Sequence, residues 1–198
     1  MRAVARVSVL FLVCCLALAQ EKPAPFGLKE GARATDFTNL DPSVRRGFFS
    51  LNTVPKPDPV FQLYILEIGP TTGLCSIKAI GKRVDTSVTG TELQAVVNHI
   101  QMELTEAYGS GRDTGRQPAE DGWKKDSEWM RSLCIGERIY SFEWSARSGS
   151  KMKPGITSIV LSANACSQSQ GYAVLEYTFD NFDSCERELA REEASKPR

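Results

Sequence analysis

Residues 60–84 read VFQLYILEIGPTTGLCSIKAIGKRV, and these letters admit two readings that lead to different proteins. In the first, Val60 to Ile68 is apolar on both faces, as a central strand should be. Gly69-Pro70-Thr71-Thr72-Gly73 is then a turn by composition, and Leu74 to Val84 is the returning strand. In the second, Gly81-Lys82 after an apolar run is the end of a phosphate loop. That loop requires G-x-x-x-x-G-K-[ST], because its backbone N–H groups cradle phosphates and its hydroxyl reaches Mg²⁺. Ser76 occupies the first glycine position and Arg83 the hydroxyl position. The next helical period starts only near Gly90, too far along to close on a phosphate at Lys82. Nucleotide chemistry is set aside, and a pair of antiparallel strands remains.

Outward from that pair, Gly47 to Val54 (GFFSLNTV) is a third strand, ended by PKPDP at 55–59. Before it, residues 26–41 (FGLKEGARATDFTNLD) suit a short helix with Leu28, Phe37 and Leu40 inward. After it, Leu93, Val97, Ile100, Leu104 and Tyr108 recur at spacings of three and four, which predicts an amphipathic helix. Thr91 with Gln94 suits a capping box at its start, and Gly109 suits its end. A polar loop at 110–122 leads to a shorter helix over Ser127 to Leu133. Three strands with strict alternation follow: Tyr140, Phe142 and Trp144; Ile159, Leu161, Ala163 and Ala165; Ala173, Leu175, Tyr177 and Phe179. Alternation of this kind predicts antiparallel strands with one buried face, the aromatic side chains serving as core. The expected fold is α+β: an antiparallel sheet of about six strands with helices on one face, as a repeated ααβββ unit. The chain divides into 1–19, a first half at 20–84, a second half at 85–185 and a charged tail at 186–198 that is frayed or helical.

The opening MRAVARVSVLFLVCCLALA, residues 1–19, reads as a cleavable signal peptide. Arg2 and Arg6 form the basic region, Val7 to Leu16 the apolar one, and Ala17-Leu18-Ala19 the cleavage site. Val13 before Cys14 does not suit lipid attachment. The mature protein is expected to be secreted or periplasmic. Lys and Arg number 24 and so do Asp and Glu. Losing Arg2 and Arg6 tips the balance slightly acidic, which gives no drive toward nucleic acid or an anionic membrane. No later stretch is apolar enough to span a bilayer. Cys75, Cys134, Cys166 and Cys185 remain after processing. An even number in an exported chain predicts two disulfides. Of the three connectivities, Cys134–Cys166 with Cys75–Cys185 is preferred, because a hairpin of the first two C-terminal strands would bring Cys134 and Cys166 together. Each bridge should contribute about 3–5 kcal/mol.

Catalytic constellations are thin. His99 is the single histidine, and it sits about 130° around the helix from the apolar stripe, at about 100° per residue. It reads as a surface side chain, and the chain offers no metal or cofactor set. Glu143, Asp180 and Asp183 are carboxylates that a small secreted hydrolase could use, without a pair that stands out. The candidate binding surface is basic: Arg112 and Arg116 in the long loop, and Arg147, Lys151 and Lys153 in the hairpin RSGSKMKPG.

The stretches FGLKEGARATDF (26–37), GLCSIKAIGKRV (73–84) and TELQAVVNHIQMELTEAYG (91–109) resemble those of uncharacterised secreted bacterial proteins. The doubled plan resembles the outer-membrane assembly lipoprotein BamE, which uses such a unit once, and β-lactamase inhibitor protein, which uses it twice. Ala32 stands where the opening motif usually carries Met, and no lipid-attachment box accompanies it. The resemblance implies a non-enzymatic, protein-binding class. The expected function is an exported binding or structural module of the bacterial envelope, with an envelope or extracellular protein as partner. A small hydrolase using carboxylates is the alternative.

Overall fold

A computed structural model describes residues 24–43 and 45–195. The expected signal peptide lies outside the described residues. One nine-stranded sheet, every pairing of which is antiparallel, runs through the whole described chain. Its strands are β1 (Asp41–Pro42), β2 (Phe48–Leu51), β3 (Phe61–Gly69), β4 (Gly73–Gly81), β5 (Val84–Asp85), β6 (Arg112–Asp113), β7 (Ser141–Ser145), β8 (Ile156–Ala165) and β9 (Gln170–Phe179). In space the order is β1-β2-β3-β4-β9-β8-β7-β6, with β5 also pairing β9. Residues 60–84 do form the hairpin β3–β4. The helices are α1 (Thr91–Tyr108), α2 (Asp121–Lys124), α3 (Trp129–Cys134) and α4 (Phe182–Ala194).

Side chains alternate across a strand, and residues paired across antiparallel strands share a face. Register therefore assigns two faces. The inner face carries Tyr64 and Leu66 of β3, Ile77 and Ala79 of β4, Leu175 and Tyr177 of β9, Ile159 and Leu161 of β8, and Phe142 and Trp144 of β7. All are buried in one core with Leu93, Val97, Ile100 and Leu104 of α1 and Met130 of α3. The helical stripe and the strand alternation thus meet as expected. Gly171 lets α1 seat closely on β9: a Cβ there would stand 2.5 Å from Leu93 Cδ2 and 2.7 Å from the Asn164 carbonyl.

Four expectations change. The sheet has nine strands rather than about six because β1, β5 and β6 are two-residue pairings, too short for any hydrophobic alternation to reveal. The ααβββ unit is not repeated. The first half contributes a meander, β2–β3–β4, but residues 25–36 hold only the 3-10 turns Pro25–Gly27 and Ala34–Asp36 instead of a helix. Helices do not stay on one face. Cys185 and Glu188 of α4 crowd Gly69, which shares the outer face with Glu67. Finally, α1 has no capping box. Gly90, at φ 71°, is its N-cap and Thr91 its first helical residue, while Glu92 accepts hydrogen bonds from Thr86 Oγ1 and from Ser87 N and Oγ.

The cysteines divide differently from expectation. Cys75 and Cys185 are bonded, closing a sequence separation of 110 residues. A register shift explains how Cys75 gets there. Glu67 pairs Ser76 and Ile68 pairs Leu74, so Cys75 is the extra residue of a β-bulge, outside the pairing. Cys134 and Cys166 are exposed free thiols, not a bridge. Cys134 ends α3 instead of leading directly into β7, and residues 135–140 intervene. The charged tail is a helix through Ala194, fixed at Cys185.

Candidate functional site

The outer face is where the chain departs from a simple core-and-coat arrangement. At the α4 end it is covered. Glu188 of α4 accepts hydrogen bonds from the backbone N–H and side-chain hydroxyl of both Thr71 and Thr72, tying the helix to the β3–β4 turn. Partial burial opposes the charge there, yet these four donors hold its carboxyl down to about 2. Away from α4, no helix among the described residues covers β8, β9 or the far ends of β3 and β4 on this side.

Register lays the open part out in rows. One row is apolar, Leu63–Ile80–Val174, and ends in the small side chains Ser162 and Ser141. Leu63 and Ile80 are half-buried and Val174 is nearly covered. The row beside it runs Ile65–Lys78–Glu176–Val160–Glu143–Arg112. It contains two ion pairs, Lys78–Glu176 at 2.9 Å and Arg112–Glu143. Arg112, with the Ser145 hydroxyl and then Arg147 assisting, holds the Glu143 carboxyl below the usual carboxylate range. The result is a flat surface with an apolar strip beside a row of charges in the order plus, minus, minus, plus.

Of the basic residues expected to form a binding surface, Arg112 and Arg147 come together around Glu143 at this edge. Arg116 lies further along, donating to the Gly136 carbonyl at 2.9 Å. Lys151 and Lys153 are at the C-terminal end of α1: the Lys151 N–H donates to the Tyr108 carbonyl, and the Lys153 ammonium sits 4.8 Å from the Tyr108 ring centre. Sequence reasoning missed Lys78 and Glu176, although each is a lone charge within an otherwise apolar strand, which was the available signal.

A convergent carboxylate pair does exist, but not among Glu143, Asp180 and Asp183. Glu67 is only 5% exposed. Burial pushes its carboxyl up to about 7, and the adjacent Glu186 carboxyl reinforces this by charge repulsion and a hydrogen bond, while Arg45 pulls the other way. Glu67 Oε1 has no hydrogen-bond partner. His99 is exposed and 3.5 Å from Glu103 on α1. Among the described residues no group of three or more His, Cys, Asp and Glu could hold a metal ion, and no helix is long and apolar enough to cross a membrane. The aromatic side chains Phe142, Trp144, Tyr177 and Phe179 are core. No protein-family model, curated protein or solved structure matches the chain.

Proposed function

We propose that this chain is an exported, non-enzymatic binding module that holds a protein partner against the open part of its outer sheet face. The observation that carries the reading is the pair of rows there: Leu63, Ile80 and Val174 beside Lys78–Glu176 and Glu143–Arg112. Protein interfaces combine an apolar core with charges that fix orientation. The four charges sum to zero, so they do not select a polyanion such as nucleic acid or an anionic lipid surface. They suit a partner that sets apolar side chains on the strip and a matching alternation of acid and base along the charged row. The reading of residues 1–19 as a signal peptide supports an encounter in the bacterial envelope or outside the cell.

The test compares crosslinked capture from the native envelope by the wild-type chain and by Ile80→Glu and Val160→Glu variants, with Lys151→Ala as the control. The reading predicts one discrete partner, captured by wild type and Lys151→Ala and lost from both face variants. Equal capture by all four proteins would overturn it, as would concentration-dependent self-association that accounts for every crosslink. The Glu67–Glu186 pair favours a second reading, a carboxylate-dependent hydrolase. That reading requires turnover of a glycoside or peptide substrate panel by the wild type and its abolition in Glu67→Gln.

A further inference from the structure

On the opposite side of the sheet, a polar cleft of about 550 Å³ lies between the first turn of α1 and residues 117–138. Thr89, Thr91, Gln117, Lys124, Asp126 and Arg138 are among its lining residues. Arg138 is unusual for a lining cation because its side chain is embedded, with the residue 6% exposed. Its Nε–H donates to Ser132 Oγ at 3.0 Å, one Nη group to Gln117 Oε1, and the other to the Trp123 carbonyl at 3.3 Å. Every one of these acceptors is neutral. A guanidinium has five N–H groups, so two keep no acceptor among the described residues. Buried charges are ordinarily paired, since burial without compensation is costly. Here no described carboxylate lies within ion-pair distance. Lys124 is bound to Asp121 at 2.8 Å. Asp126 favours the Arg138 charge electrostatically without an ion pair, and the Trp129 ring centre lies 5.8 Å from the guanidinium carbon.

The hydroxyl side of the cleft is polarised in the opposite sense. Ser87 Oγ donates to the Glu92 carboxylate at 2.9 Å. A serine hydroxyl has one proton, so in its 2.8 Å contact with Thr89 Oγ1 it must accept. Thr89 has then donated its own proton and must accept from Thr91 Oγ1, also at 2.8 Å. By this relay Thr91 meets the cleft as an acceptor only. The cleft thus offers a rigidly held guanidinium whose hydrogen-bond acceptors are all neutral, together with Thr91 Oγ1 and the Asp126 carboxylate as acceptors.

We infer that this cleft binds a small hydroxylated carboxylate of the sugar-acid class, its carboxylate on Arg138 and its hydroxyls donating to Thr91 and Asp126. A neutral sugar would bring no anionic acceptor to the remaining Arg138 N–H groups. A bare phosphate would bring no hydroxyl array to Thr91 and Asp126. The volume lies in the range of small-molecule sites. The competing structural role for Arg138 is a clamp that ties the 117–138 segment together, and it makes no demand on Thr91.

The test is calorimetric titration of the full chain with glucuronate, with glucose and inorganic phosphate as comparison ligands. Glucuronate is expected to saturate one site, and glucose and phosphate to bind at least about tenfold more weakly, the cost of an unmet buried polar group. Arg138→Lys, a point charge without the planar fork, should weaken glucuronate by about tenfold. Thr91→Val should weaken it several-fold while leaving the melting temperature unchanged, and it decides the matter if Arg138→Lys does not fold. Three outcomes would overturn the inference: no saturation by millimolar glucuronate, phosphate binding as tightly as glucuronate, or full affinity in a folded Thr91→Val protein.

Discussion

The same strands present two faces to two different environments. On the inner face of β7 and β8, Trp144 and Ile159 are completely buried under the helices. One residue along, Glu143 and Val160 are half-buried on the outer face. A single step in register separates a residue that holds the fold from one that is half-exposed. Burial on one face and polarity on the other is what antiparallel alternation permits and what parallel sheets, covered on both sides, do not. The outer face itself divides again, into an end locked by α4 and an end that no helix among the described residues covers.

The contrast can be broken hardest at Trp144. Its ring is wholly buried and its Nε1–H donates to the Gly109 carbonyl at 2.9 Å. Trp144→Ala should cost about 3–5 kcal/mol, whereas Val160→Ala on the outer face should cost about 1 kcal/mol or less. Urea unfolding of both variants measures the difference, and equal losses would erase the distinction between the faces. Next in size is the locked end of the outer face. Replacing Cys75 and Cys185 by Ala should cost about 2–5 kcal/mol, while the same change at Cys134 and Cys166 should be nearly neutral. Among the four described cysteines, alkylation of the native protein should label only the latter two.

The smallest effect is also the most specific. Glu67 has a folded-state pKa raised to about 7, first by burial and then by Glu186. A raised carboxyl favours the native state while it keeps its proton. Its contribution is therefore complete below about 4.5 and lost as pH rises toward about 7. Glu67→Gln should remove this slope and stabilise the protein at pH 8 by up to about 3 kcal/mol, with little change at pH 4. Thermal melts of both proteins across that window test it. A parallel pH dependence in the two would show that Glu67 is ionised in the native state at neutral pH.

The long elements were legible because each repeats a short-range rule many times. Alternation in Ala173, Leu175, Tyr177 and Phe179 places β9, and spacing in Leu93 through Tyr108 places α1. The Cys75–Cys185 pairing was also reachable, though by an argument whose other half failed. Cys134 and Cys166 stand near the ends of two paired strands in sequence, but α3 holds Cys134 away from the strand end. What stayed out of reach depends on contacts between distant residues. The Glu188 bonds to the Thr71–Thr72 turn and the Glu67–Glu186 contact each join positions more than about 100 residues apart. The candidate binding surface was half legible for the same reason. Arg112 and Arg147 are distant in sequence and meet only because β6 and the end of β7 sit side by side.

The joint between β4 and β9 has a consequence for how the chain comes to be folded. Residues 76–80 pair with residues 174–178, so the middle of the sheet is made from strands far apart in the chain, while the flanking meanders β2–β3–β4 and β7–β8–β9 are each local. Loop closure makes distant pairings the slow ones. Two half-sheets can assemble early, each with a raw edge, and fuse along a central seam only when the last long strand has emerged. A chain truncated before Gln170 would not merely lose its final strand. It would be cut in two along its midline, leaving β4 and β8 as open templates for aggregation.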